Sequence, residues 1–133
     1  MKKECLNPIN LFDSRPFGFS QIVVTDPGKM VFISGQVAWD EYLQIEGKGD
    51  LEKQTEKSIL NLKVAMEEVG GSLADIVMLR IFKVHYKKED GQVITRVLKK
   101  YFGTENPPSS TWVSVSGLAN EEFMIEIEAQ AVI

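Results

Sequence analysis

The sequence predicts an α+β fold in which two helices pack on a sheet of five or six strands. Three features carry this prediction: a segment with helical periodicity begins near Asp50, a second one ends at Gly103, and the last segment alternates between apolar and polar residues. Short apolar runs, rich in β-branched and aromatic residues, occupy the intervals. The predicted order is β-β-α-β-α-β-β, which indicates a two-layer sandwich.

The first two strands are predicted over residues 17–25 (FGFSQIVVT) and 30–39 (MVFISGQVAW). The turn signal Asp26-Pro27-Gly28 lies between them. Two strands separated by such a turn predict a hairpin.

The first helix is the most strongly indicated element. Asp50 is a favoured N-cap residue, and Gly70-Gly71 is typical of a helix end. Between them an apolar stripe recurs at three- and four-residue spacing: Ile59, Leu62, Met66 and Val69. The second helix places Ile94, Val97, Leu98 and Tyr101 on one face and stops at Gly103.

Three further strands complete the predicted sheet. Residues 75–86 (DIVMLRIFKVHY) are apolar on both alternating faces, which suits a central strand. Residues 110–118 and 123–133 are predicted as strands on either side of a turn near 119–121. The helices need only one face of this sheet, and the other face still carries apolar residues. Self-association is therefore the economical way to cover that face.

Composition limits the class of protein. A chain of 133 residues predicts one domain, 1–133, and the net charge of −4 with a pI near 5.1 argues against a nucleic-acid partner. Cys5 is the single cysteine, so it forms neither an intrachain disulfide nor a cysteine-based zinc site. Neither a signal peptide nor a membrane span is indicated, so we expect a cytoplasmic protein.

Individual residues leave the chemistry open. His85 is the single histidine and suits an ordinary strand end better than a catalytic base. The hydroxyls at 109–111 lack a nucleophile-elbow context, so a polar strand start is the simpler interpretation. Glu126, Glu128 and Gln130 form a stripe that suits either solvated surface or a carboxylate facing a pocket.

Longer motifs resemble a known family. The segments FGFSQIVV, GKMVFISGQVAWD, YFGTENPPSSTWVSVSGL and MIEIEAQAVI, with a helix that leads into GGSLADIV, occur in the order seen in the Rid family. These are the YjgF-type reactive-intermediate deaminases, also described as L-PSP-type endoribonucleases. The resemblance extends from about Phe17 to Ile133.

The resemblance implies a chorismate-mutase-like fold and a homotrimer with a central barrel. It also implies clefts for a small-molecule ligand between neighbouring subunits. The family activity is hydrolysis of 2-imino or enamine acids to 2-oxo acids and ammonia, without a cofactor. An arginine clamps the substrate carboxylate by a bidentate pair, and a glutamate on the last strand positions the water.

These roles transfer to positions of this chain. The glutamate corresponds to Glu126, and the backbone and hydroxyl after the second strand correspond to Ser34 and Gly35. Phe19 stands where a tyrosine is common, and Thr95 aligns with an active-site asparagine. The substrate-binding set implied by the resemblance is completed by two residues after the proline turn, Ser109 and Thr111.

One position departs from the family pattern. Ser109 occupies the place of the clamping arginine, and a serine hydroxyl cannot neutralise a carboxylate. Arg80 could supply the charge from another direction, although pairing with an acid such as Glu126 or Glu128, or a place at an interface, is the simpler expectation. We therefore expect a trimer with weak or altered deaminase activity. The alternatives are an active hydrolase on a different small substrate and, less favoured in an acidic chain with one histidine, an endoribonuclease.

Overall fold

The computed structural model describes residues 3–133. Over these residues the chain forms six strands and two α-helices, in the order β1 (Lys3–Leu6), β2 (Ile22–Thr25), β3 (Met30–Gln36), α1 (Leu51–Glu68), β4 (Ile76–Val84), α2 (Lys88–Phe102), β5 (Ser109–Val115) and β6 (Ile125–Val132). Strands β1 and β2 form a small sheet, and the other four form a sheet of order β3-β6-β4-β5. The predicted α+β class is confirmed.

The large sheet is mixed. Strand β6 runs antiparallel to both β3 and β4, whereas β5 runs parallel to β4. Although β5 and β6 are neighbours in sequence, they do not pair, because β4 lies between them. The turn predicted near 119–121 therefore does not close a hairpin. Its place is taken by a crossover that carries the chain past β4.

Helix α1 begins and ends as predicted. The Asp50 carboxylate accepts a hydrogen bond from the backbone N–H of Lys53 at 3.1 Å, which caps the first turn. At the other end Gly70 has a φ of 81°, and the N–H of Gly71 donates to the Met66 carbonyl at 2.8 Å. This is the Schellman arrangement, in which a left-handed residue satisfies the last carbonyls.

The core lies between the two helices and one face of the sheet. Its fully buried members from the helices are Ile59, Leu62, Met66, Ile94, Val97 and Leu98, and those from the sheet are Ile76, Leu79, Ile81, Ile125, Ile127, Ala129 and Ala131. The apolar alternation along β6 is confirmed, because every second residue from 125 to 131 is buried. Periodicity in the sequence thus selected the buried faces correctly.

The predicted first hairpin is wrong. Residues Arg15–Phe17 form a short 3₁₀ helix and Gly18 has a left-handed φ of 92°, so the strand starts only at Ile22. Strand β2 then pairs with β1, with Cys5 opposite Val23, rather than with β3. The chain before residue 17 therefore supplies one strand more than predicted. The observed order is β-β-β-α-β-α-β-β.

The second face of the large sheet, which we call the open face, carries no helix in the described chain. Phe32 and Met30 of β3 are 67% and 61% exposed there. Val113 of β5 is also exposed, while Met78 and Phe82 of β4 are only half-buried. This agrees with the prediction that two helices cover only one face of the sheet and leave apolar residues exposed on the other. Separately, neither helix within residues 3–133 has the length and apolar character that crossing a membrane requires.

A buried glutamine joins α1 to the start of β6. The Gln54 amide donates to the carbonyls of Gly47 (3.2 Å) and Glu122 (3.0 Å), and its oxygen accepts from the N–H of Met124 (2.9 Å). We expect Gln54→Leu to lower the free energy of unfolding by about 3 kcal/mol, because the Glu122 carbonyl and the Met124 N–H lose their partner and the Gly47 carbonyl keeps only the N–H of Asp50. Urea unfolding measures this loss.

The matched control for that variant is Lys53→Leu, at an exposed position in the same turn. It should change the free energy of unfolding by less than about 0.5 kcal/mol. Equal effects of the two substitutions would contradict a stabilising role for the buried amide.

Candidate functional site

The register of the sheet places the candidate residues on its faces. Arg80 of β4 lies opposite Thr111 of β5 on one side and Glu128 of β6 on the other. Because paired residues point to the same face of a sheet, Thr111, Arg80 and Glu128 form one row on the open face. Two residues further along β4, Phe82 is paired with Glu126 of β6, and both side chains also point to the open face.

Glu126 lies directly against Gly35. A methyl group added at Gly35 would come 2.1 Å from the Glu126 Oε2 atom and 2.7 Å from its Cγ. The absence of a side chain at position 35 therefore makes the room that the carboxylate occupies. The pairing of β3 with β6 is irregular between Ile33 and Gln36, so Ser34 and Gly35 lie at a local bulge. The structure thus brings Glu126, Gly35 and the exposed Ser34 to one region.

The guanidinium of Arg80 is paired with the carboxylate of Glu128. The other two arginines of the chain are also engaged: Arg15 pairs with Asp13 at 2.8 Å, and Arg96 pairs with Glu52 at 3.0 Å. Each arginine thus lies beside an acid of its own chain, and the pairs of Arg15 and Arg96 lie on exposed surface. The expectation that Arg80 pairs with a last-strand glutamate is met.

The hydroxyl of Ser109 is directed to the backbone. It donates to the carbonyl of Val77 at 2.9 Å, which ties the first residue of β5 to β4. The preceding Pro107 and Pro108 are buried, and the hydroxyl of Ser20 donates to the Pro107 carbonyl at 2.6 Å. The side chain at 109 thus fixes the start of the strand. Thr111, two residues on, is exposed on the same face.

Phe19 and Thr95 belong to a different region. The Phe19 ring packs on Trp112 with centroids 5.9 Å apart, and Trp112 lies opposite Ile81 on the helix-covered face. The hydroxyl of Thr95 in α2 donates to the carbonyl of Phe17 at 3.0 Å. Both residues therefore lie at the β5 edge and toward the helices, away from Glu126.

A single chain does not bring all the candidates together. Ser109 and Glu126 are separated by β4, and their partners on that strand, Met78 and Phe82, are four residues apart. Standard strand spacing and rise place the two residues about 16 Å apart. One small molecule cannot contact both of them within one subunit.

A buried ion pair was not anticipated from the sequence. The Lys83 ammonium group lies 3.0 Å from Asp90 of α2 and donates to the Val84 carbonyl at 2.6 Å. Lys83 is only 6% exposed. Leu79, Ile81 and Lys83 are alternate residues of β4, so their side chains point to the same face of the sheet, the one that the helices cover. The pair connects the middle of the sheet to the first turn of α2.

Ligands for a metal ion are not clustered in this structure. Within residues 3–133, side chains of His, Cys, Asp and Glu form no group of three or more that could hold an ion.

Comparison with known proteins establishes the family. A model of the family described as Endoribonuclease L-PSP matches residues 14–133. The chain belongs to this family, the Rid family. The Rid protein YyfB of Yersinia pestis has a solved structure that is 34% identical, with a TM-score of 0.93 over 100% of both chains.

Curated relatives of the Rid chain agree with that assignment. A RutC family protein of Pyrococcus abyssi is 34% identical over 118 residues, which cover 88% of each chain. A protein of Dermatophagoides farinae named 2-iminobutanoate/2-iminopropanoate deaminase is 29% identical over 120 residues, which cover 90% of this chain and 89% of that one. The resemblance read from the sequence motifs is confirmed at the level of the family.

The contact between Gly35 and Glu126 yields a prediction about stability. Gly35→Ala should lower the free energy of unfolding by about 1 kcal/mol or more, because the new methyl group displaces the glutamate side chain. In a Glu126→Ala background the same substitution should have little effect, since the Cγ and carboxylate are gone. Urea unfolding of the four proteins in this double-mutant cycle gives the coupling energy. Equal effects of Gly35→Ala in both backgrounds would show that the glutamate does not occupy this space.

Proposed function

We propose that this Rid-family chain is a homotrimer that binds a small molecule in clefts between subunits and that hydrolyses 2-imino acids weakly. The observation that carries the proposal is the absence of a free arginine near the start of β5. Ser109 occupies the clamp position, and all three arginines of the chain are already paired with acids. A 2-imino acid would find no guanidinium for its carboxylate.

The intersubunit location rests on distance. Because Ser109 and Glu126 lie about 16 Å apart across the sheet, the two can share a ligand only if they come from different subunits. The exposed Phe32 and Met30 supply apolar surface for the required contact on the open face. Association through this face would desolvate the side chain of Glu126 as well, because it lies on the same face.

Glu126 is the group proposed to act on water. Its carboxylate has no ion-pair partner within residues 3–133. It can accept a proton from the water that attacks the imine carbon and return that proton to the nitrogen, which gives a carbinolamine. The carbinolamine hydroxyl then loses its proton to the nitrogen, the C–N bond breaks, and ammonia leaves the 2-oxo acid. Ser34 and Gly35 lie beside it and are proposed to orient the substrate. Thr111 of the neighbouring subunit would complete the polar lining.

Phe19 and Thr95 have more indirect proposed roles. Phe19 packs behind Trp112, and Thr95 fixes the turn that carries Phe17. Through these contacts both residues shape the β5 edge of the cleft. Without a hydroxyl, Phe19 cannot donate the hydrogen bond that a tyrosine there would supply.

The expected loss of activity can be bounded. A hydrogen bond to a charged group contributes about 1.5–3 kcal/mol. Loss of roughly 3 kcal/mol corresponds to about a hundredfold loss in rate or affinity. A neutral serine hydroxyl does not restore this energy, and here it is already bonded to Val77.

A second candidate function follows from the charge of the same region. An unpaired Glu126 without a free arginine suits a substrate that lacks a carboxylate and carries a hydrogen-bond donor or a positive charge. The chain would then be an active hydrolase on a different small substrate. Cleavage of RNA is less favoured, because the chain has a net charge of −4.

The catalytic proposal is tested by generating 2-iminopropanoate in solution and following its decay with and without the protein. The wild-type protein should accelerate decay weakly, and Ser109→Arg should increase the acceleration by up to about a hundredfold by restoring the clamp. Ser116→Arg, at an exposed position beyond β5, is the control for added positive charge. Strong acceleration by the wild-type protein would overturn the proposal. If Ser109→Arg gives no gain, the second candidate is favoured.

The assembly is tested by measuring mass in solution. We expect the mass of three chains, since the open face needs a cover. Phe32→Glu should give monomers, whereas Val64→Glu should leave the mass unchanged, because Val64 is comparably exposed (65% against 67%) but lies on α1. A monomeric wild-type protein at micromolar concentration would exclude an intersubunit cleft.

A further inference from the structure

A second cavity lies on the helix-covered side of the β5 edge. It has a volume of about 390 Å³ and is bounded by the 3₁₀ helix, the first turns of α2 and strand β5. Three aromatic side chains form its walls: Phe17, Tyr86 and Trp112. The rings of Tyr86 and Trp112 meet at 61° with centroids 6.4 Å apart. All of its lining comes from one chain, and it shares Thr95 with the β5 edge of the proposed cleft.

Hydrogen bonds hold the walls in place. The Trp112 indole N–H donates to the Ser110 hydroxyl at 2.7 Å, which fixes the plane of the ring. The Thr95 hydroxyl donates to the Phe17 carbonyl at 3.0 Å and holds the opposite wall. The backbone N–H of Tyr86 donates to the Ser114 hydroxyl at 3.1 Å. A cavity with fixed walls loses little conformational entropy when a ligand binds.

Two locally unfavourable residues both serve to place Tyr86. His85 has a φ of 48°, a conformation that costs a residue other than glycine free energy. Gly91 lies inside α2, where glycine is a poor helix former. A methyl group at Gly91 would come 2.2 Å from the Tyr86 hydroxyl oxygen, so a larger residue there would displace the Tyr86 side chain. The core packing of the fold does not need Tyr86, which is 39% exposed.

The cavity has a positive rim. Lys88 is the one charged side chain among its lining residues, and the amide of Gln92 lies one turn further along α2. No ion pair within residues 3–133 involves Lys88. Asp90 lies two residues further along α2, and its carboxylate is already paired with Lys83. An anionic group at the rim would therefore meet a free ammonium group.

We propose that this cavity binds a small planar aromatic carboxylate. The ring enters between Phe17, Tyr86 and Trp112, where aromatic edges and faces pack favourably. The carboxylate stays at the rim and accepts hydrogen bonds from Lys88 and Gln92. The site is separate from the proposed cleft, since it lies on the opposite face of the sheet from Glu126.

The experiment compares two probes of equal shape, 2-naphthoate and its neutral counterpart 2-naphthamide, by calorimetry. The wild-type protein should bind naphthoate about tenfold more tightly than the amide, the range of one charge-assisted hydrogen bond at an exposed rim. Lys88→Gln should abolish this difference, whereas Lys87→Gln, next in sequence but outside the lining, should preserve it. Gly91→Ala should weaken both probes, because it moves Tyr86.

The place of binding is read from the two tryptophan indole N–H signals in an NMR spectrum. Trp39→Phe identifies the Trp112 signal, which naphthoate should shift. Tyr86→Ala, at a partly exposed position, is a second variant if Gly91→Ala does not fold, and it too should weaken both probes. An unshifted Trp112 signal, or an unchanged preference for naphthoate in Lys88→Gln, would overturn the proposal.

Failure of this site and failure of the proposed cleft are distinguishable. Glu126→Gln should leave naphthoate binding unchanged, because Glu126 lies on the other face of the sheet. Lys88→Gln should conversely leave the decay of 2-iminopropanoate unchanged. Loss of naphthoate binding in Glu126→Gln would show that the probe occupies the cleft and would overturn the second site.

Discussion

Strand β4 is hydrogen-bonded to β5 on one side and to β6 on the other, and its register fixes the positions of the candidate groups on those two strands. Alternate residues of this strand point to the two opposite faces of the sheet. Leu79, Ile81 and Lys83 face the helices, whereas Arg80 and Phe82 face away from them. Because a shift by one residue would exchange these sets, burial of the first set holds the second in place. The polar rows of the open face are thus set by the packing of the apolar core on the other side.

Local signals predicted the elements well, and non-local pairing was the source of the errors. Caps at Asp50 and Gly70 and the alternation of β6 are properties of a few neighbouring residues, and the structure agrees with each of them. Which strands pair depends on residues far apart in the chain. The partner of β2 was misassigned for this reason, since the choice between β1 and β3 depends on the 3₁₀ helix and on Gly18.

The candidate site shows the same division. The motif pointed to Gly35 and Glu126, and the structure places them side by side where the pairing of β3 with β6 is irregular. Thr95 and Phe19 could not be placed from the sequence, since their side depends on how α2 and the 3₁₀ helix cross the β5 edge. The open choice for Arg80 was resolved by register, which puts Glu128 directly opposite it. Lys83 is buried in register with Leu79 and Ile81, although lysine is a residue type that is rarely buried.

The strand order has a consequence for how the chain folds. Strand β6 is the last of the described strands in sequence, yet it lies between β3 and β4 in the sheet. Until residues 125–132 are available, β3 has no partner in that sheet, whereas α1, α2, the β1–β2 pair and the β4–β5 pair can already form. Nearly one hundred residues separate Val31 from its partner Ala131, so closing this loop is slow compared with forming either helix. Strand β3 and the β4–β5 pair therefore become one sheet only when β6 enters between them.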